Sequence, residues 1–144
     1  MADRSKQAWI NKSFNRFFNW WFRRRGGKVA FRGAPCLILH TVGAKTGQPR
    51  QTPLLFLRVD DQQLAVVGSN GGDDKTPAWV HNLRKQSTVE VELDGRRVPM
   101  VATTASDERR AELWPRLVAM YKSYAAYQSK TDRQIPVILL TPAE

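Results

Sequence analysis

The sequence contains few of the residues on which metal sites and disulfide scaffolds depend. It has one cysteine, Cys36, and two histidines, His40 and His81, among 144 residues. A single cysteine excludes an intramolecular disulfide, and the set is too small for the usual Cys/His metal sites, so no metal is expected. A Ser-His-Asp set, a pair of catalytic carboxylates and a phosphate-binding P-loop are also missing. A hydrolase or a kinase is therefore not expected, and an enzyme of this sequence would take its chemistry from a bound cofactor.

Acidic residues are missing from a long segment in the first half of the chain. Between Arg4 and Val59 there is no Asp or Glu, but there are twelve Lys or Arg residues. From Asp60 to Glu144 the eleven basic and twelve acidic residues nearly balance, and the whole chain carries a net charge of +10. A one-sided positive field attracts anionic cofactors, polyanions or an anionic membrane surface. Specific nucleic-acid binding is not favoured, because the chain shows no recognition helix or base-stacking motif.

Long apolar runs are missing too, so no segment is expected to span a bilayer or to act as a signal peptide. Residues 5–25 instead have helical periodicity, with one apolar stripe formed by Ile10, Phe14, Phe17, Phe18 and Trp21. We therefore expect an amphipathic N-terminal helix over residues 1–27, followed by a domain over residues 28–144. This helix packs on its own domain or lies on the inner face of the cell membrane, since aromatic residues flanked by cations suit both. The expected location of the protein is the cytoplasm.

From residue 35 onward the pattern changes to that of strands. Six strands are predicted, most of them joined by tight turns, at residues 36–41, 52–59, 63–69, 87–93, 97–104 and 135–141. Thr76-Pro77 predicts the start of one helix, with Thr76 as its N-cap, and Ser106 predicts the cap of another. The expected fold class is mainly β with helices (α+β), an antiparallel sheet curled into a small barrel.

Three polar stretches are candidate binding sites. The segment 41–50, TVGAKTGQPR, is either a plain basic hairpin turn or an anion site in which glycine-rich backbone is joined by Lys45 and Thr46. The stretch from Gly68 to Trp79 leads from a strand end into a helix start, where planar anionic ligands often bind. The third stretch holds the three tyrosines, 121, 124 and 127, which line a pocket or form a core-facing helix surface.

Taken in order, three segments resemble a known family. They are GAKTGQPRQTPLLFL, VVGSNGGDDKTPAWVHNLRKQSTVEVEL and ERRAELWPRLVAMYKSYAAYQSKTDRQIPVILL. With W-P ahead of Y-x-x-Y-x-x-Y-Q and T-D-R-x-I-P, the set is similar to the deazaflavin (coenzyme F420)-dependent nitroreductases of actinobacteria, over about residues 38–142. The resemblance implies a split β-barrel, like that of flavin-binding oxidase domains, which holds the deazaflavin in a groove.

The activity implied by this resemblance is that of an F420-dependent oxidoreductase. It transfers a hydride from the reduced deazaflavin to a quinone, an activated enone or a nitro compound. Ser69 and Tyr124 are the implied catalytic residues, with Tyr121, Tyr127 and Phe56 around the substrate. The hairpin is expected to hold the cofactor's phosphate and glutamyl tail. The implied cofactor contacts are Lys45, Thr46, Gly47, Gln51, Thr52, Pro53, Leu54, Leu55, Phe56, Val67, Gly68, Ser69, Asn70, Ala78, Trp79, Val80, His81, Asn82 and Tyr124.

One position departs from the family pattern. Phe56 stands where the nitroimidazole-activating member has tyrosine, so a phenolic hydroxyl is lost. Quinone or enone reduction is therefore expected rather than nitroimidazole activation. Two alternatives stay open at this point: a non-catalytic carrier of the deazaflavin, and an FMN-dependent oxidoreductase of the same fold. The sequence carries no signal for the oligomeric state or for the physiological acceptor.

Overall fold

The computed structural model describes residues 16–27 and 30–143. These residues form eight strands: β1 (Ala30–Phe31), β2 (Ala34–Val42), β3 (Pro49–Leu55), β4 (Leu57–Arg58), β5 (Leu64–Val67), β6 (Thr88–Leu93), β7 (Arg96–Thr104) and β8 (Val137–Pro142). Helix α1 is helical at residues 16–24. It is followed by α2 (Ala78–Lys85), α3 (Asp107–Met120) and α4 (Ser123–Ser129), and a short 3-10 helix spans Asn70–Gly72.

The described strands form one antiparallel sheet in the order β1-β2-β6-β7-β8-β5-β4, and β3 pairs with β2. Only Phe56 separates β3 from β4, which pairs with β5, so the chain leaves one end of the sheet and joins the other. This connection curls the sheet into a half-open barrel. The predicted fold class is confirmed, with two strands more than predicted because the segment 52–59 breaks at Phe56 and the short β1 is added.

The interior of the barrel is the main core. Inward-pointing residues alternate along the strands, as Val89 and Val91 do in β6, and α2 closes the barrel with Trp79 and Val80. Helix α2 begins at Ala78, one residue later than predicted, and Thr76 is not its cap, because Pro77 is the N-cap with extended backbone at ψ 151°. The predicted cap of α3 is confirmed: the Ser106 hydroxyl accepts a hydrogen bond from the N–H of Arg109 at 3.2 Å.

Helices cover the outer faces of the sheet on two sides. Helix α1 lies over β2, where Phe22 packs with Cys36 and Ile38. On the other side α3 and α4 cover β5 and β8, and Leu113 and Tyr124 belong to that cluster. Each face is buried because successive residues of a strand point to opposite sides of the sheet.

The predicted apolar stripe of the N-terminal helix is partly wrong. Phe18 and Trp21 pack against the α1 cluster, but Phe17 is 66% exposed and Phe22 takes a buried position in its place. The contact face therefore follows the spacing 18, 21, 22, while Ile10 and Phe14 lie outside the described residues. Residues 28–29 lie outside them as well, and the boundary predicted after residue 27 stays a prediction. Within the described part of the chain, no helix is long and apolar enough to cross a membrane.

Candidate functional site

A cleft of about 1160 Å³ opens where α1, the β2–β3 hairpin and α2 meet. Pockets for drug-sized ligands and cofactors usually have volumes of about 300–1,000 Å³, so this cleft is wide enough for a cofactor. Its lining is polar and basic along the helix and the hairpin, with one large aromatic side chain from α2. The lining residues are Arg16, Asn19, Arg23, Gly43, Ala44, Lys45, Thr46, Pro49, Arg50, Gln51, Thr52, Thr76, Ala78, Trp79, His81 and Asn82.

The tip of the β2–β3 hairpin is shaped by its own hydrogen bonds. The N–H of Gly43 donates to the carbonyl of Gln48 at 2.8 Å, and the N–H of Gly47 donates to the carbonyl of Gly43 at 2.9 Å. Gly47 has φ 71°, a left-handed conformation that glycine adopts without strain. No described residue accepts a hydrogen bond from the backbone N–H groups of Lys45 and Thr46. Two backbone donors and the Lys45 ammonium are therefore available to an anion.

Helix α2 holds this hairpin in place. The Asn82 side chain accepts a hydrogen bond from the N–H of Ala44 at 2.8 Å and donates to the Thr41 hydroxyl at 3.2 Å. The ammonium of Lys85 donates to the carbonyl of Ala44 at 2.7 Å. Both ends of the Asn82 amide are engaged by the protein, so this residue positions the hairpin even though it also lines the cleft.

On the α1 side of the cleft, a polar network connects α1 to the sheet. The Arg23 guanidinium donates to both carboxylate oxygens of Glu92, at 3.0 and 2.9 Å, and to the side-chain oxygen of Gln51 at 2.7 Å. His40 Nε2 lies 2.8 Å from Glu92 Oε1. Partial burial raises the pKa of Glu92, but hydrogen bonds and charge from Arg23 and His40 outweigh it and leave the pKa below its ordinary value.

The Ser69 loop is placed by Arg133, which belongs to the T-D-R segment. The Arg133 guanidinium donates to the carbonyls of Gly68 at 3.2 Å, Ser69 at 2.9 Å and Asp73 at 2.9 Å. Three carbonyls held by one guanidinium fix the turn that follows β5. The sequence motif therefore has a structural explanation here, as a clamp on the predicted Ser69 site.

The three tyrosines meet in one cluster. The Tyr121 and Tyr124 ring centroids lie 5.0 Å apart, and the Tyr121 and Tyr127 hydroxyls lie 3.3 Å apart. Tyr124 is 5% exposed, and burial, with further contributions from Tyr121 and Tyr127, raises its pKa well above the ordinary value. Its phenol is therefore protonated throughout the neutral pH range and can donate a hydrogen bond.

Tyr124 and the cleft residue Trp79 lie on different sides of β5. Val66 packs in the barrel interior with Trp79, whereas its neighbours Ala65 and Val67 pack on the outer face with Tyr124. Successive side chains of a strand point to opposite faces, so Tyr124 and Trp79 are separated by the sheet.

Eight of the predicted site residues line the cleft: Lys45, Thr46, Gln51, Thr52, Ala78, Trp79, His81 and Asn82. Those that do not line it, among the described residues, are Gly47, Pro53, Leu54, Leu55, Phe56, Val67, Gly68, Ser69, Asn70, Val80, Tyr121, Tyr124 and Tyr127. Val80 and Phe56 belong to the barrel core and Val67 to the outer cluster, so their side chains are used in packing.

The prediction missed the wall formed by α1. Arg16, Asn19 and Arg23 line the cleft, and they lie at i, i+3 and i+7, which is one face of a helix. That spacing of polar residues beside an apolar stripe was a signal in the sequence. It did not show which partner this polar face would meet.

A family model described as F420H(2)-dependent quinone reductase matches residues 14–142. The chain belongs to this family. An F420H(2)-dependent quinone reductase of Mycobacterium tuberculosis is 40% identical over 126 residues, which cover 83% of this chain and 84% of the relative. The family confirms the predicted class, an oxidoreductase, and the predicted cofactor, coenzyme F420, and it places quinones foremost among the predicted acceptors.

Solved structures agree with this assignment. The chain is similar to an F420-H2 dependent reductase (FDR-A), with a TM-score of 0.66, 37% identity and coverage of 73% of this chain and 92% of that chain. A protein described as a domain-swapped dimer matches with a TM-score of 0.69 and 31% identity, over 94% of this chain and 98% of that chain. Both similarities support the split-barrel fold.

Proposed function

We propose that this family member binds coenzyme F420 in the cleft between α1, the β2–β3 hairpin and α2, and that it reduces a quinone-type acceptor. The observation that carries the proposal is the hairpin tip, where Lys45 and Thr46 line a cofactor-sized cleft and their backbone N–H groups have no described acceptor. Coenzyme F420 carries a phosphate and an acidic glutamyl tail. The positive field of the first 59 residues attracts such an anion.

The hairpin is prepared for this role before any ligand arrives. Asn82 and Lys85 hold Ala44 from α2, so the N–H groups of the next two residues keep one direction. Donors that need no rearrangement bind an anion with a smaller entropy loss. Arg50, which also lines the cleft, adds a further cation.

Strand β3 connects the cleft with the tyrosine cluster. It pairs with β2 along one edge, and no described strand pairs with its other edge. Gln51 lines the cleft, and Leu55, four residues further on the same face of β3, packs against the Tyr124 cluster. The four steps between these residues span about 13 Å at 3.3 Å per residue. A ligand anchored at Lys45 and extended along β3 would reach the tyrosines.

The reduced cofactor, when bound, supplies a hydride to an electron-poor acceptor. The residues of this chain bind and orient the two partners and exclude water between them. We assign Tyr124 the role of donating a hydrogen bond to the acceptor oxygen, because its phenol stays protonated, with Tyr121 and Tyr127 beside it. Ser69, held by Arg133, is assigned to a carbonyl group of the acceptor or the ring.

Phe56 supports quinones and enones over nitroimidazoles as acceptors. It is 3% exposed and packs in the barrel core, so it offers neither a hydroxyl nor an open surface. Quinone reduction needs one hydride and one proton. A tyrosine hydroxyl that donates a hydrogen bond to the acceptor oxygen lies where this proton is needed.

We also propose that α1 attaches the protein to an anionic membrane surface, because a quinone dissolved in the membrane would be accessible there. Phe17 is 66% and Trp20 55% exposed, and the Arg24 guanidinium lies 5.5 Å from the centroid of the Trp20 ring. Exposed aromatics next to cations are typical of interfacial helices. In a flotation assay with anionic vesicles, the double variant Phe17→Ser/Trp20→Ser should stay unbound, while wild type and the control Val101→Ser should float. Equal recovery of all three would contradict the attachment.

The decisive experiment for the reductase proposal is a titration of the purified protein with coenzyme F420 and, separately, with FMN. It is followed by measurement of quinone reduction with the reduced deazaflavin. Binding of F420 with turnover supports the proposal. Binding without turnover of any quinone, enone or nitro acceptor favours a carrier, and preference for FMN favours the flavin alternative.

A further inference from the structure

Asn19 of α1 carries a buried polar atom without a partner. The residue is 5% exposed and lines the cleft, and no described residue donates a hydrogen bond to its side-chain oxygen Oδ1. Buried polar atoms are nearly always paired, because leaving one unpaired costs its lost hydration. An apolar residue at this position would avoid that cost. The free oxygen therefore points to a ligand that supplies the missing donor.

The surroundings of Asn19 keep it at the cleft. Phe22, one turn along the helix, is buried against β2, so this face of α1 cannot rotate away from the sheet. Arg23 is joined to Glu92 and to Gln51, and Gln51 itself lines the cleft. The α1 wall is thus attached to β3 and β6 by contacts within the described chain. Asn19 is held in place without any help from a ligand.

We propose that Asn19 is a ligand-binding residue of the cleft, whose side-chain oxygen accepts a hydrogen bond from a neutral N–H or O–H group of coenzyme F420. This inference rests on the proposed function, because it takes F420 as the occupant of the cleft. Such donors occur on the ring imide and the ribityl chain of the cofactor, and also as amide N–H groups in its glutamyl tail. The carboxylates and the phosphate of the tail cannot serve, since they only accept hydrogen bonds at neutral pH.

The test compares Asn19→Leu with wild type in two measurements. Leucine has a similar size and no hydrogen-bonding atom, so the variant should unfold at the same temperature as wild type or a higher one. Its affinity for F420, followed by the change in cofactor fluorescence on titration, should fall about tenfold. A structural asparagine would show the reverse pattern, with lost stability and little change in affinity. Asn19→Ala gives the same comparison if leucine does not fit.

Arg24→Gln is the matched control. It lies on the same helix, is exposed, and is not among the residues that line the cleft, so its F420 affinity should equal that of wild type. Repeating the titrations with the deazaflavin that lacks the phosphate and the tail locates the donor. A loss of affinity for both ligands in Asn19→Leu assigns it to the ring or the ribityl chain, and a loss for F420 alone assigns it to the tail.

If wild type binds F420 and Asn19→Leu binds it equally well, the inference is overturned while the proposed function stands. If wild type binds no F420, the proposed function and the inference both fail.

Discussion

Arg23 of α1 and Glu92 of β6, 69 positions apart in sequence, form a two-pronged ion pair with distances of 3.0 and 2.9 Å. Glu92 also meets His40, so one carboxylate joins the N-terminal helix to two strands. The pair lies beside the cleft, because Arg23 is one of its lining residues. The position of the α1 wall, and with it that of Asn19, therefore depends on Glu92.

Replacing Glu92 should destabilise the fold. Glu92→Gln removes the charge from a half-buried network, and we expect a loss of about 1–2 kcal/mol in the free energy of unfolding, measured with urea. Glu90→Gln is the control on the same strand. Glu90 pairs with Arg97, but both side chains are largely exposed, at 48% and 56%, so its loss should be within about 0.5 kcal/mol. Equal losses of unfolding free energy in the two variants would show that the contact between Glu92 and α1 does not stabilise the fold.

The contribution of Glu92 should depend on pH. Its pKa is lowered in the folded state, so the stabilisation is present in full above the ordinary value, near pH 4.5, and is lost as pH falls through the lower folded value. The difference in unfolding free energy between wild type and Glu92→Gln should therefore shrink as pH falls below about 4.5. A difference that stays the same down to pH 3 would contradict this assignment.

Lys45 should matter for the cofactor more than for the fold. Lys45→Glu places a negative charge where the proposed anionic group binds, and we expect F420 affinity to fall by at least about a hundredfold, with a thermal midpoint close to wild type. Arg96→Glu is the matched charge reversal, because Arg96 is an exposed residue in another hairpin and does not line the cleft. If Lys45→Glu keeps its affinity, the hairpin is only a basic turn.

Tyr124→Phe separates the hydroxyl of Tyr124 from its ring. The ring contacts with Tyr121 and Trp114, at centroid distances of 5.0 and 6.4 Å, are retained. We expect unchanged F420 binding and a kcat for quinone reduced by about 10–100-fold, because the hydrogen bond to the acceptor is lost. Tyr127→Phe tests the half-exposed member of the cluster in the same assay. Full turnover by Tyr124→Phe would remove Tyr124 from the mechanism and leave it as a core residue.

Two adjacent glycines provide a test of how the Ser69 loop meets α4. Both have positive φ, 64° at Gly71 and 86° at Gly72, but only at Gly72 would an added Cβ meet the Tyr127 carbonyl oxygen, at 2.8 Å. Gly71→Ala should cost about 1 kcal/mol from backbone strain alone. Gly72→Ala should cost at least about 2 kcal/mol and also lower quinone turnover, because Tyr127 must shift. Chemical denaturation of the two variants measures which of them loses more unfolding free energy. Equal losses would show that a Cβ at Gly72 meets no steric obstacle.

Local pattern was enough to predict most of the strands and the family. The alternation of Val89, Val91 and Leu93 and the Asp94-Gly95 turn identify a hairpin, because strand periodicity and turn chemistry involve only neighbouring residues. The basic hairpin with Lys45 and Thr46 could be recognised for the same reason. The absence of acidic residues between Arg4 and Val59, together with the ordered motifs, pointed to an anionic deazaflavin cofactor.

The long-range contacts that build the site could not be predicted from local sequence patterns. Asn82 holds Ala44 from 38 positions away, and the sequence alone made it a cofactor contact like its neighbours. Tyr124 and Trp79 lie on opposite faces of β5, and the polar face of α1, with Asn19, lines the cleft. Periodicity shows which side of an element is apolar, but not which distant element covers it. That choice depends on how the sheet curls and on long-range pairs such as Arg23 with Glu92.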